Sequence, residues 1–287
     1  MKKILFVIFT IFTSYACAEA EIGIVDSKEE TMIADKPVLE DGRQYHLHTA
    51  PNDLARHCIL VGSPERAELI ATEFFTDSKE VGSNRGLKSF TGKYKGMPIS
   101  VVTTGMGSAS TGVVLPEAVR SGAGVFIRVG SCGVLQPGYD CGSALISSAA
   151  CRYDGASDNW APIEWPAVAD WRVVAALKQA SENMGKDCPV GISVTTTCFN
   201  EGQARPDDDG YIPPRLLEQH NELVQRGALF YSMEEATIFV WCSTHGNFPC
   251  SSIDTVYANR INNTFQAGND QETAEIALEA MLLLKEL

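Results

Sequence analysis

Apolar positions along this 287-residue chain follow two rhythms. Short, nearly unbroken apolar runs lie at Cys58 to Gly62, Ile99 to Thr104, Val125 to Val129, Ala144 to Cys151, Val190 to Thr197, Leu229 to Met233 and Ser251 to Tyr257. Each predicts a buried strand. Val81 to Tyr94 reads as two further strand-like pieces around Asn84-Arg85-Gly86. Between the runs, apolar residues recur at helical spacing. Ala67, Leu69, Ile70 and Phe74 predict one helix, and Ser63-Pro64-Glu65 supplies its cap, first-turn proline and early acid. Others are predicted over about Ser110 to Arg120, Val168 to Met184, Leu216 to Arg226, Glu234 to Thr244 and Glu272 to Glu286. Strands alternating with helices predict an α/β fold, a single-domain three-layer α/β/α arrangement around a central mixed sheet.

One run carries a residue that does not belong in a buried strand. Arg128 follows Val125-Phe126-Ile127, and Gly130-Ser131-Cys132-Gly133 comes just after. An arginine there is costly unless a negative group meets it. The two readings are a buried carboxylate partner or an anionic ligand. The glycines predict a tight loop whose backbone N–H groups, with the Ser131 hydroxyl, suit a phosphate. Gly62 stands where a strand meets a helix N-terminus, another natural anion position. Gly105-Met106-Gly107-Ser108 does not complete the dinucleotide-binding glycine spacing. Gly62, Gly105, Arg128, Phe199 and Met233-Glu234 all fall at or just past predicted strand ends, where α/β sheets gather their sites.

Charge and the N-terminus narrow the partners. Residues 1–18 combine two lysines, an apolar core and Ala16-Cys17-Ala18, which reads as a signal peptide and implies a secreted or periplasmic protein. Residues 19–44 read as a polar, extended arm, and 45–287 as the domain. Cleavage after Ala18 takes the net charge from −13 to −15. That balance argues against nucleic acid and against stable membrane association. The cysteines show no Cys-x-x-Cys and no zinc-like spacing, so no metal is expected.

Several motifs together resemble the hexameric-type nucleoside phosphorylase superfamily. They are Gly62-Ser63-Pro64-Glu65-Arg66, Asn84-Arg85, Thr104-Gly105-Met106-Gly107, Arg128-Val129-Gly130-Ser131-Cys132-Gly133 and Ser232-Met233-Glu234-Glu235-Ala236-Thr237. Asp154-Gly155-Ala156-Ser157, Trp165-Pro166-Ala167-Val168-Ala169-Asp170 and Phe199-Asn200-Glu201-Gly202-Gln203-Ala204-Arg205 point to its uridine-cleaving branch. The resemblance implies phosphorolysis of a pyrimidine nucleoside, with inorganic phosphate as co-substrate and neither cofactor nor metal. It implies a phosphate site of Gly62, Arg66, Arg128 and Ser131, with Arg85 reaching in from a neighbouring subunit. Met233 and Glu234 would hold the ribose, capped by the partner's own copies of Tyr45 and His46. Phe199, Gln203 and Arg205 would bind the base. Arg128, Glu234 and Arg205 would carry the catalysis, and a homodimer, open to assembly into larger oligomers, would be the active unit. Two positions depart from relatives. Ser232 stands where many carry glutamate, and Gly86 where bacterial members often have a carboxylate tied to a monovalent cation. Asp254 leaves open a purine-type acid. The alternatives are a purine or broad-specificity phosphorylase, a water-using nucleosidase, and a non-catalytic secreted nucleoside-binding or storage protein.

Overall fold

The computed structural model describes residues 34–287, so the expected signal peptide and residues 19–33 of the arm lie outside the described residues. In chain order the elements are β1 (His57–Val61), α1 (Pro64–Glu73), β2 (Thr76–Asn84), β3 (Leu87–Tyr94), β4 (Met97–Thr103), α2 (Ser108–Arg120), β5 (Val125–Val134) and β6 (Ala144–Tyr153). They continue with β7 (Ala167–Val168), α3 (Trp171–Asn183), β8 (Val190–Thr196), α4 (Pro214–Gln225), β9 (Phe230–Ser232), α5 (Glu235–Thr244), β10 (Cys250–Asn259), β11 (Thr264–Phe265) and α6 (Asp270–Leu283).

Side-chain alternation in β1 and β5 builds the layers. Ile59, Val61, Ile127 and Val129 face one side and pack with α1, α3 and α6. Cys58, Leu60 and Phe126 face the other and pack with α2 and α5. Both faces are covered, as parallel strands require, and burying each such Ile, Leu or Phe is worth about 1.5–3 kcal/mol. Arg128 therefore points to the face of α5.

The sheet is mixed. β1 pairs parallel with β4 and β5, while β2, β3 and β4 form an antiparallel run. β5 also pairs with β10 and, at its far end, with β9. Since β10 continues through β6 and β8 to β9, the strands close into a ring with β5 as the shared member.

Three sequence expectations change here. The tight loop at Gly130 to Gly133 does not form, because β5 runs on to Val134 with these residues opposite Asp254 to Ala258 of β10. The helix expected from Val168 starts at Trp171. Asp170 caps it, accepting from Arg172 N at 2.8 Å, and Ala167–Val168 instead pair with β6. The described end of the arm is a closed turn joined by a Val38–Gln44 bridge.

Candidate active site

A cavity of about 270 Å³ opens at the carboxyl ends of β1 and β5. Gly62, Arg66, Arg128, Ser131, Phe199, Gln203, Arg205, Met233 and Glu234 all line it, together with Tyr231, Ser232, Tyr257 and Phe265. Residues from five separate stretches of sequence thus meet in one place. His46 and Arg85 are not among its walls.

Of the two readings of Arg128, the carboxylate partner is present. Arg128 faces the cavity and is also buried against three carboxylates. Its Nη2 pairs with Glu234, and its Nη1 with Glu235 at 3.0 Å and with Asp254. Burial disfavours the guanidinium charge, but the three acids outweigh it and hold the proton on. One positive charge among three carboxylates would leave a buried excess of two negatives. Glu235 relieves it: burial, and then the neighbouring Asp254 and Glu234, push its carboxyl well above the usual range against the pull of Arg128. Ser232 Oγ bonds the same carboxyl. Gly130 is required by this packing, since a β-carbon there would collide with the Arg128 guanidinium and the Asp254 carboxylate. Asp254 is fully buried in the cluster and is not a wall of the cavity.

Glu234 is held from two sides. Its Oε1 accepts the Gly107 N–H at 2.6 Å and its Oε2 meets Arg128. Met233 is fixed through its carbonyl, which accepts from Ser108 Oγ at 2.7 Å. Arg66, one turn into α1, pairs through Nε with Asp270 at 3.1 Å and donates from Nη2 to the Tyr257 hydroxyl at 3.1 Å. Tyr257 donates in turn to the Asp270 carboxylate at 2.7 Å.

The other end of the cavity is built differently. Ala204, in a left-handed conformation (φ 52°), closes a short 3₁₀ turn at Glu201–Gln203 and swings Arg205 inward. Arg205 Nη1 donates to Gln203 Oε1 at 2.6 Å and to the Phe199 carbonyl, and its guanidinium stacks 3.8 Å from the Phe199 ring centre. Arg260 bonds the Gln203 carbonyl at 2.8 Å. Among the described residues, neither Arg205 nor Arg260 has a carboxylate partner. Burial, and then the charge of Arg260, push Arg205 down to about 10. Two half-buried cations without a carboxylate partner among the described residues make this end electron-seeking.

Along β5 the Arg128 guanidinium lies over Gly130, and Arg205 Nη2 lies 3.8 Å from a β-carbon position on Gly133. Arg128 and Arg205 both line the cavity.

Tyr45, His46 and Arg85 gather elsewhere, on one surface patch. Arg85 Nη2 donates to the Tyr45 hydroxyl at 3.1 Å, and the Tyr45 and His46 rings meet edge to face at 4.9 Å. Arg85 sits in a left-handed conformation (φ 53°) before Gly86 (φ 78°), at the tip of the β2–β3 hairpin. Such turns favour Asn or Gly, and a bulky residue there costs about 1–3 kcal/mol.

Arg260 and Tyr231 are not assigned to the site from sequence, whereas Tyr257, expected from sequence to narrow the base pocket, lines the cavity and bonds Arg66. The Asn259-Arg260 pair was the available signal for Arg260. Nothing local marks Tyr231, whose place depends on β9 packing beside β5 and whose hydroxyl burial pushes up to about 12.

Comparison with known proteins follows the same lines. The profile of the Phosphorylase superfamily matches residues 56–285. The chain is 38% identical over 258 residues to a uridine phosphorylase of Thermococcus kodakarensis, covering 90% of this chain and 92% of that protein. It is 32% identical over 253 residues to a uridine phosphorylase of Treponema pallidum, covering 84% and 94%. A guanosine phosphorylase of Halorubrum lacusprofundi is 29% identical over 237 residues, covering 82% and 92%. With the mixed α/β fold, the cavity and these relationships in place, the chain belongs to the phosphorylase superfamily.

Proposed function

We propose that this protein is a uridine phosphorylase, converting uridine and phosphate to uracil and ribose 1-phosphate. The carrying observation is that Arg66, Arg128, Arg205 and Glu234 all line one cavity, Arg128 bonded to Glu234 and Arg205 without a carboxylate partner among the described residues. Phosphorolysis needs an anion beneath the anomeric carbon and a stabiliser for the base that departs with negative charge. Arg66, Arg128, Ser131 and the Gly62 backbone suit the phosphate. The half-buried Arg205, with Arg260 behind it on the Gln203 carbonyl and no carboxylate partner for either among the described residues, suits the departing base and is already in place when its charge develops. Gln203 gives its side-chain oxygen to Arg205, which leaves its NH₂ to donate to a base carbonyl. Phe199 supplies a stacking face. Glu234, fixed by Gly107 and Arg128, can accept from a ribose hydroxyl and hold the sugar in line, with Met233 beneath it. No metal, organic cofactor or covalent nucleophile is needed.

The uridine preference rests on the base end. Glu234 is the single carboxylate among the cavity's described walls, and it belongs to the sugar position. A purine leaving group would have no acid beside it. The uridine phosphorylases among the relatives point the same way.

The finer reading is a homodimer with shared sites. The strained Arg85 and the neighbouring Tyr45 and His46 face away from the chain's own cavity, so they suit the partner's cavity, adding Arg85 to its phosphate site and His46 to its ribose. The first 18 residues support export of the protein, with residues 45–287 as its phosphorylase domain.

A panel of nucleosides incubated with and without phosphate, read as free base, tests the assignment. Uridine should be cleaved fastest and only with phosphate. Faster release of hypoxanthine from inosine or guanine from guanosine would overturn the base assignment.

A further inference from the structure

A carboxylate away from the cavity has an unusual set of partners. Glu117 lies inside α2, 3% exposed, and forms no ion pair with a lysine or arginine among the described residues. Both of its oxygens are spent on one short segment. Oε1 accepts from the His46 N–H at 3.1 Å, and Oε2 accepts from the same N–H at 3.0 Å and from the Leu47 N–H at 2.8 Å. The His46 ring completes the set, with Nδ1 2.7 Å from Oε1. From the other side, Asn84 Nδ2 donates to the Tyr45 carbonyl at 3.1 Å and the His46 carbonyl at 3.0 Å.

Burying a carboxylate is costly, and tying down a surface segment does not require one. What the carboxylate adds is control of the imidazole. Both oxygens already act as acceptors toward backbone N–H groups, so the proton in the ring contact belongs on Nδ1. Nε2 then points outward, bonding nothing among the described residues, while the His46 side chain stays 31% exposed. In a neutral ring Nε2 is an acceptor of defined direction, suited to a sugar hydroxyl.

We propose that Glu117 is a positioning residue for the neighbouring subunit's reaction: it fixes the tautomer and aim of His46, which takes a ribose hydroxyl in the partner's cavity. The proposal rests on the shared-site reading above. It extends the site from the His46 side chain to a buried acid on a helix of the donor subunit.

Glu117→Gln tests it. The amide replaces one acceptor oxygen with an NH₂, so it must either face a backbone N–H or turn the ring to its other tautomer. The uridine KM should rise about tenfold, the loss expected for one mis-set hydrogen bond, with the phosphate KM changed less than about twofold. Glu117→Asp, which keeps the charge, should recover part of the loss. The decisive readout is subunit exchange. Mixed with an Arg128→Ala variant and assayed at uridine well below KM, the Glu117→Gln protein should reach roughly a quarter of the wild-type rate. About half the dimers are then mixed, and in each the Glu117→Gln subunit keeps its own Arg128 and receives an intact His46. If Glu117 serves only its own subunit, the mixture stays near roughly a twentieth, because every working site then carries the defect. Exchange between Arg85→Ala and Arg128→Ala variants is the control. Recovery there without recovery for Glu117→Gln overturns the Glu117 role alone. No recovery in either, with exchange proven, overturns the shared site and the Glu117 role with it. If Glu117→Gln does not fold, the same exchange is run with Glu117→Asp, and a mixture that reaches no more than half of the Glu117→Asp rate counts against the proposal.

Discussion

Arg128 explains most of the residues around it. A guanidinium in a central strand must be neutralised, and three acids from β10 and the start of α5 do so. Burial and the neighbouring Asp254 and Glu234 push the carboxyl of Glu235, fully buried, well above its usual range, which favours a proton there. Arginine at this position, and the reading of it as either paired or ligand-facing, was legible from sequence. That three carboxylates meet a side chain which also borders the cavity was not, because it depends on β10 lying beside β5. The glycines were read as a phosphate-cradling loop for a sound local reason, yet Gly130 is there to make room for the side chain two residues earlier. A protonated Glu235 has a testable consequence. Glu235→Gln should keep the fold and most of the activity, since an amide can accept from Arg128 and donate to Ser232. Glu235→Ala should cost about 1–3 kcal/mol by denaturant unfolding, for the hydrogen bonds left unmade. The folded-state value is raised, so the stability this proton provides is complete below the unfolded carboxyl value of about 4.3 and is lost as pH rises to the folded one. Glu235→Gln should flatten that slope. Equal damage from both substitutions would mean that the carboxyl is ionised.

At the scale of elements, the clearest signals were chemical rather than periodic. Ser63 and Pro64 announced α1, and Ser63 Oγ does accept from Arg66 N at 3.3 Å. That cap is what sets Arg66 at the cavity rim. The start of α3 was misplaced because Val168 and Ala169 extend its apolar pattern backward, although Ala167–Val168 pair with β6. Asp170 holds the true signal. Burial pushes its carboxyl up, but hydrogen bonds from the Arg172 side chain and the first helical N–H groups outweigh it and hold it below its ordinary value. Asp170→Ala should therefore destabilise the protein by about 1 kcal/mol, the usual cost of a lost cap, and lower Tm by about 2–4 °C. The uridine KM should not move, since α3 packs on the face opposite α5 and contributes no wall to the cavity. A changed KM would show that α3 is coupled to the site. The two-residue β11 lies below what periodicity can detect, though its Phe265 lines the cavity and meets Tyr257 edge to face.

The whole molecule shows why class was easier to read than closure. Alternating strands and helices indicated α/β layers, and the two faces of β1 and β5 bear that out. The ring through β5, β10, β6, β8 and β9 joins strands far apart in the chain and leaves no local trace. It is this closure that brings Tyr231 to the same cavity as Gly62 and Arg66, and Arg260 to the Gln203 carbonyl behind it. Charge follows the same division. The chain is strongly negative overall, at −13, yet its site concentrates arginines at both ends of one cavity, as an enzyme joining phosphate to the sugar of a nucleoside requires. The most direct measurement of that claim is ³¹P NMR of the purified protein with uridine and phosphate, alongside uracil release. Inorganic phosphate should disappear and a sugar phosphate ester should appear in equal amount to the uracil formed. Uracil released with free ribose, and with the phosphate signal unchanged, would contradict the account and make the protein a hydrolase.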